Sequence, residues 1–133
     1  MDTTPSTLLP TLGQLQRRLA QQFQRLYREK LNHTPGKITC QILEEKLLFV
    51  VEDSVTKPEQ LLLDEGQSEL AEQVRNDLAT ALRSQIVDMV EAILDRQVVD
   101  VLTDATLATG RTSVVIILAE PPEARPAAKD SSS

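Results

Sequence analysis

Few residues of this chain combine the type and the spacing that catalysis needs. His33 is the only histidine, and it lies in an Asn-His-Thr-Pro-Gly turn with no serine or cysteine motif beside it. A solvated turn histidine fits this position better than a general base. Cys40 is the only cysteine and shares the apolar phase of Ile38 and Ile42, which indicates a buried, unreactive thiol. We therefore predict no catalytic residue and no enzyme activity.

Metal and cofactor sites are not predicted either. No group of histidine, cysteine and carboxylate residues has the spacing of metal ligands. The four glycines are too scattered to form a phosphate-binding loop or a dinucleotide fingerprint. The carboxylate pairs Glu44–Glu45 and Asp64–Glu65 are adjacent only in sequence, and such pairs usually face water. We expect no bound metal and no cofactor.

Composition limits the partners and the compartment. The net charge is −6 and aromatic residues are 2%, so a polyanion would be repelled and few rings could stack on bases. We expect no nucleic-acid partner. The longest apolar stretches, residues 47–51 and 114–119, are too short to span a membrane. The chain starts without a signal-peptide pattern, and one unpaired cysteine suits a reducing compartment. We therefore expect a soluble, cytoplasmic protein with no membrane span.

Charge is unevenly distributed along the chain. Residues 11–32 contain five cations and one anion, whereas residues 52–77 contain eight anions and two cations. Arg17, Arg25 and Arg28 fall on one helical stripe, opposite the leucines of the same segment. We expect the basic and acidic segments to pair, either within the molecule or between copies. A stripe that faces only water, or a helix that lies on a membrane, is the alternative.

The elements that position these residues follow from periodicity. Thr11 and Gln14 have the spacing of a capping box, and apolar residues then recur at helical steps up to the Pro-Gly turn. Residues 38–42 and 47–51 read as two strands of an antiparallel hairpin.

A second capping box, Thr56 and Glu59, predicts a short helix that Gly66 ends. No glycine or proline interrupts the helical period that follows, so we predict one long helix over residues 68–94. β-branched runs on either side of a loop at residues 104–110 predict a second hairpin, with strands at residues 98–102 and 112–118.

The predicted order is α-β-β-α-α-β-β, which is typical of an α+β fold with helices packed on an antiparallel four-stranded sheet. Residues 11–119 form the single predicted domain. The segments 1–10 and 120–133 have little to bury and are predicted to be disordered tails.

The central stretch resembles a known family. Residues 55–78 contain a Thr-Lys-Pro-Glu start, a run of leucines, a glycine and then Glu-Leu-Ala-Glu-Gln-Val-Arg. This is similar to the central motif of the MpsC family, a component of a sodium-translocating, membrane-potential-generating system. The turn at residues 31–35 and the strand at residues 96–104 also match the family, so the resemblance covers residues 12–119.

The chain departs from the family pattern at several positions. Family glycines are replaced by Asn32, Thr34 and Asp95, the proline is shifted to Pro58, and Glu72 stands where the family has an arginine. Asn32 and Asp95 can still adopt the left-handed backbone that a glycine supplies. The charge reversal at Glu72 argues against an anion contact there.

The resemblance implies a link to a membrane ion or bicarbonate transport system but carries over no catalytic residues. Our first hypothesis is a non-enzymatic interaction or regulatory protein that accompanies such a system. The alternative is a small-ligand sensor for an anion or nucleotide, or an enzyme, with a pocket between subunits that uses Glu59, Glu69 and Arg75.

The length of the last predicted helix suggests a homodimer. A helix over residues 68–94 would be about 40 Å long, whereas a domain of this size has a radius of gyration of about 13 Å. Its apolar positions also spread too far around the helix for one stripe. We therefore predict a two-fold dimer with Leu82, Ile86 and Met89 at the interface. The alternatives are that the first helix covers this surface, or that the long helix kinks.

Overall fold

The computed structural model describes residues 9–125 and confirms the α+β class. Its seven elements are α1 (Leu12–Leu31), β1 (Ile38–Leu43), β2 (Lys46–Val51), α2 (Lys57–Asp64), α3 (Ser68–Leu94), β3 (Val98–Thr106) and β4 (Arg111–Leu118). The strands form one antiparallel sheet in the order β1-β2-β4-β3.

Local signals explain where α1 begins and where α1 and α3 end. The Thr11 hydroxyl accepts from the Gln14 amide at 3.1 Å, and the Gln14 side chain accepts from the Thr11 amide at 2.9 Å. The capping box is therefore confirmed. Asn32 ends α1 with φ 52°, and Asp95 ends α3 with φ 53°. Both residues adopt the left-handed conformation predicted for positions where the family has glycine.

The helices cover one face of the sheet. α1 packs on β1, and α3 packs on β3 and on α1. α3 is a single helix of 27 residues. The inner face of the sheet and the facing sides of α1 and α3 form one apolar core, whose members are Leu15, Leu19, Phe23, Tyr27, Cys40, Ile42, Leu47, Phe49, Val51, Leu82, Ile86, Val90, Leu94, Val101, Val114, Ile116 and Leu118.

This packing argues against the dimer interface predicted on α3. Leu82 and Ile86 are each only 6% exposed and belong to the core of their own chain, and Met89 packs partly buried against that core. The sheet, rather than a second copy, covers this side of the helix. The long helix is covered within its own chain because it contacts both β3 and α1.

β3 is longer than the sequence predicts. It continues through Asp104, Ala105 and Thr106, so the loop before β4 contains only residues 107–110. Asp104 and Ala105 have weak strand propensity, yet they pair in register with Ser113 and Thr112 of β4. Cross-strand pairing therefore extends the hairpin beyond the part that propensity alone identifies.

The described part of the predicted tails makes specific contacts. The Arg125 amide donates to the Pro10 carbonyl at 2.7 Å, and Ala124 packs against the core. Residues 120–125 of the predicted C-terminal tail therefore include a half-buried residue, Ala124, that contacts the core. Residues 1–8 and 126–133 lie outside the described range.

The β1–β2 turn contains a backbone conformation that its residue does not favour. Glu44 has φ 58°, and Glu45 is not among the positive-φ residues of the described chain. A two-residue hairpin loop with positive φ only at its first position corresponds to a type II′ turn, which prefers glycine there.

We predict that Glu44→Gly raises the free energy of unfolding by about 0.5–1 kcal/mol, because it removes the side-chain clash of the left-handed region. Urea denaturation followed by circular dichroism measures the change. Glu45→Gly is the matched control, and it should give no gain because Glu45 has no strain to relieve. Equal gains in both variants would contradict this explanation.

Candidate functional site

A buried arginine on α3 forms the centre of the most polar part of the core. Arg75 is 6% exposed and Glu59, on α2, is 0% exposed. Arg75 Nε donates to Glu59 Oε2 at 2.7 Å, and Arg75 Nη2 donates to Glu59 Oε1 at 2.6 Å. The two groups therefore form a bidentate, charge-assisted pair inside the protein.

The second predicted capping box orients the carboxylate of this pair. Glu59 Oε1 accepts from the Thr56 amide at 2.9 Å and from the Thr56 hydroxyl at 2.7 Å. The Thr-Lys-Pro-Glu start of α2 thus holds the Glu59 side chain at the helix N-terminus, where a negative charge is favoured. Packing of α2 on α3 then brings Arg75 to it.

The remaining donors of Arg75 reach three other segments. Nη2 donates to the Ser54 carbonyl at 2.6 Å, and Nη1 donates to Tyr27 Oη at 2.8 Å and to Thr112 Oγ1 at 3.4 Å. A guanidinium has five N–H donors, and all five are used here. Arg75 therefore has no donor left for a ligand.

The acceptors around Arg75 are themselves connected. The Tyr27 hydroxyl donates to the Ser54 carbonyl at 2.9 Å, and the Ser54 hydroxyl lies 2.8 Å from Thr112 Oγ1. Ser54 Oγ also donates to the Gly110 carbonyl at 3.1 Å. Throughout residues 9–125, no buried side-chain nitrogen or oxygen is left without a partner. The network is fully satisfied, as a buried charge requires.

The electrostatics keep Arg75 charged. Burial lowers the pKa of the Arg75 guanidinium, but Tyr27 and Glu59 raise it by more, so its pKa lies above the usual value. Cys40 shows the effect of burial alone, which raises the pKa of its thiol to about 12. The buried thiol stays protonated at neutral pH, so it is a poor nucleophile.

A cleft lies beside the network, between α3 and the β3–β4 side of the sheet. Its volume is about 300 Å³, and Arg75 and Thr112 contribute to its wall. Most of the remaining wall is apolar, from residues that include Phe23, Leu78, Leu82, Ile86, Val101 and Val114. Exposed polar side chains of Asn76, Thr80 and Arg83 also line it.

The structure brings together only part of the predicted ligand site. Glu59 and Arg75 meet within one chain, whereas Glu69 is exposed in the first turn of α3 and is not part of the network. Arg17, Arg25 and Arg28 are exposed on α1, on the side opposite its buried residues, and Arg25 donates to Glu29 at 3.1 Å.

Three network members escaped sequence reasoning. Tyr27 looked like one more apolar position of α1, and Thr112 like the start of a strand. Ser54 carries no sequence signal, since it contributes mainly its backbone carbonyl to Arg75. His33 lies outside the Arg75 network: its Nε2 is 2.7 Å from the Asp53 carbonyl in a loop contact.

Comparison with known proteins identifies the family. Residues 11–120 match the family described as the Na⁺-translocating membrane potential-generating system (MpsC), and this chain belongs to it. No curated protein and no solved structure matched. Within residues 9–125, none of the helices has the length and apolar content needed to cross a membrane.

We predict that Arg75→Leu lowers the free energy of unfolding by about 3–5 kcal/mol, because it leaves Glu59 buried without a counter-charge. Glu59→Leu should have a similar effect for the converse reason. The double variant should lose about 3 kcal/mol less than the sum of the two single losses. Urea denaturation of all four proteins measures this coupling.

Two control variants accompany this double-mutant cycle. Arg83→Leu removes an exposed arginine from the same helix and should cost no more than about 1 kcal/mol. Arg75→Lys keeps the charge but should not restore stability, because an ammonium cannot supply five donors in a planar fork. Additive losses in the double variant would show that the pair does not act as a unit.

Proposed function

We propose that this chain is a non-enzymatic regulatory or companion protein of a membrane ion-transport system and binds it through the basic face of α1. The basic face consists of Arg17, Arg18, Arg25 and Arg28. The observation that carries the proposal is the exposure of all four cations on one side of a 20-residue helix. The same helix buries Leu15, Leu19, Phe23 and Tyr27 on its other side, so the orientation of the basic face is fixed.

The basic face stands out from the rest of the protein. The whole chain has a net charge of −6, so a cluster of cations produces a strong local contrast. Such a contrast steers association with a surface of opposite charge. An acidic protein surface is therefore the partner chemistry that this face fits.

Within residues 9–125, no cation of the basic face pairs with the acidic segment at residues 52–77. Among residues 9–125, the ion pairs of the basic face are limited to Arg25 with Glu29, its neighbour on α1. In the acidic segment, Glu59 pairs with Arg75 and Glu52 with Arg111. The prediction of pairing between the two segments within the molecule is thus not supported, and an intermolecular contact is the use of the basic face that we propose.

Family membership supports the choice of system. The family description names a sodium-translocating, membrane-potential-generating system. We extend this to a companion role on the cytoplasmic side, because the single free thiol suits a reducing compartment. A bicarbonate transport system is the closest alternative of the same class.

The proposal predicts salt-sensitive binding to native membranes. Membrane vesicles from the host should retain the wild-type chain in a sedimentation assay, and binding should weaken as ionic strength rises. Arg17→Glu/Arg25→Glu/Arg28→Glu should abolish retention. The matched Arg17→Lys/Arg25→Lys/Arg28→Lys variant should bind like the wild type, because it keeps the charges.

Two further measurements decide whether the partner is a protein of this system. Liposomes made from the extracted lipids alone should not retain the chain; equal retention would identify a lipid surface and contradict the proposal. Host cells without the chain should show a reduced sodium-dependent membrane potential, and the lysine variant but not the glutamate variant should restore it. An unchanged potential would also contradict the proposal.

A small-ligand sensor remains the second candidate, and the cleft beside Arg75 favours it. Its volume of about 300 Å³ is at the lower end for ligand pockets, and apolar walls with a few polar groups are typical of them. Because every donor of Arg75 is occupied, Arg83 is the cation of the cleft that would meet an anionic group. The cleft lies within one chain, whereas the sequence predicted a pocket between subunits.

This candidate predicts that one compound in a panel of nucleotides, bicarbonate and small carboxylates raises the Tm of the full chain. Ala79→Phe should abolish the shift, because Ala79 lines the cleft. Ala92→Phe, an exposed position on the same helix, is the matched control and should leave the shift intact. A panel without any shift would rule against the sensor.

A further inference from the structure

The outer face of the sheet, which none of the helices described within residues 9–125 covers, is unusually apolar. Leu48 is 42% exposed and Leu102 is 54% exposed, in the middle of this face. Strand register places Leu48, Val115 and Leu102 side by side in one row across β2, β4 and β3. Val50 and Ile117 flank this row above and below. We call these five residues the outer apolar patch.

The sequences of the central strands also indicate burial on both faces. A sheet with one wet face usually alternates apolar and polar residues. β2 has the run Leu-Leu-Phe-Val-Val and β4 the run Val-Val-Ile-Ile-Leu, without alternation. Such runs are typical of strands that have a layer packed on each side.

We propose that a second copy of this chain covers the outer apolar patch, so that two sheets pack face to face in an α-β-β-α dimer. A sheet with helices on one face has no layer packed on its other face. Another sheet at a distance of about 10 Å is a common way to supply that layer. The proposal goes beyond the function proposed above, since it uses a different surface from the basic face of α1.

The sheet edges favour contact through the face rather than through strand addition. At the β1 edge, the Ile42 amide donates to Gln16 Oε1 of α1 at 2.9 Å. At the β3 edge, Arg83 Nη1 of α3 donates to the Val101 carbonyl at 3.2 Å. Helix side chains thus occupy backbone groups at both edges, which disfavours pairing with another strand.

Charges on the same face select the second copy as the partner and set its orientation. Lys46 lies on β2 and Arg111 on β4, whereas Asp100 and Asp104 lie on β3. Because the face carries charges of both signs, it can be self-complementary across a two-fold axis, whereas an anionic membrane would find no net positive charge on it. A two-fold axis along the strands, between β2 and β4, would place β2 of one copy over β4 of its partner.

That axis brings Lys46 of one copy beside Asp100 of the other and keeps the two β3 strands apart. The alternative axis, across the strands, would stack β3 on β3 and bring four carboxylates together. Lys46 Nζ already lies 3.4 Å from Glu45 and 3.6 Å from Glu44 in the β1–β2 turn, so its attraction to Asp100 is partly offset. Apolar contact therefore supplies the affinity, and charge supplies the orientation.

Analytical ultracentrifugation of the full chain over a concentration series tests the proposal. The wild type should be a dimer. Leu48→Lys should weaken dimerisation by at least about 100-fold, because it places two charges in the centre of the interface. Leu61→Lys is the matched control: Leu61 is 61% exposed on α2, and its substitution should leave the dimer unchanged. Circular dichroism verifies that each variant is folded.

A charge exchange tests the orientation. Lys46→Asp and Asp100→Lys should each weaken the dimer, by about tenfold, and the double variant should recover most of the loss. A wild type that is still monomeric at about 100 μM would overturn the proposal. A dimer that is insensitive to Leu48→Lys would overturn it as well. Tightening by Asp100→Lys would overturn the orientation. The membrane-binding result with the α1 variants is independent of all these outcomes.

Discussion

The pairing of Arg75 with Glu59 is the interaction on which the arrangement of this protein depends. A buried guanidinium is stable only when every N–H has an acceptor. Those acceptors come from α1, α2, the loop after β2, and β4. Because one side chain on α3 serves all four, these segments must be in place together. The network thus fixes how the helices sit on one end of the sheet.

Local signals predict the elements well. The two capping boxes and the left-handed ends at Asn32 and Asp95 depend on a few neighbouring residues, so the sequence is enough to find them. The end of β3 depends on pairing with β4, and the strand propensities of single residues carry no information about that pairing. The site could be predicted only in part. Glu59 and Arg75 stand out as charged residues in a family motif, but their pairing follows from the packing of α2 on α3.

The broad apolar surface of α3 shows the limit of periodicity. Apolar residues on two sides of a helix indicate two contacts without indicating the partners. Leu82 and Ile86 were assigned to another copy, but they pack against the chain's own sheet. The unalternating runs in β2 and β4 place apolar residues on both faces of the sheet. Only the register of the strands shows which of their residues point away from the helices.

The attachment of α2 has an uncommon thermodynamic character. Glu59 is the only buried residue of this helix, and Leu61 is 61% exposed. The helix is held mainly by charge and hydrogen bonds and buries little apolar surface. Its local opening would therefore change heat capacity and denaturant sensitivity only slightly, since both scale with the surface exposed. Substitutions that weaken the ion pair, rather than cold or moderate urea, would therefore release α2 from an otherwise folded domain. Added salt would do so much less, because it screens a buried pair only weakly.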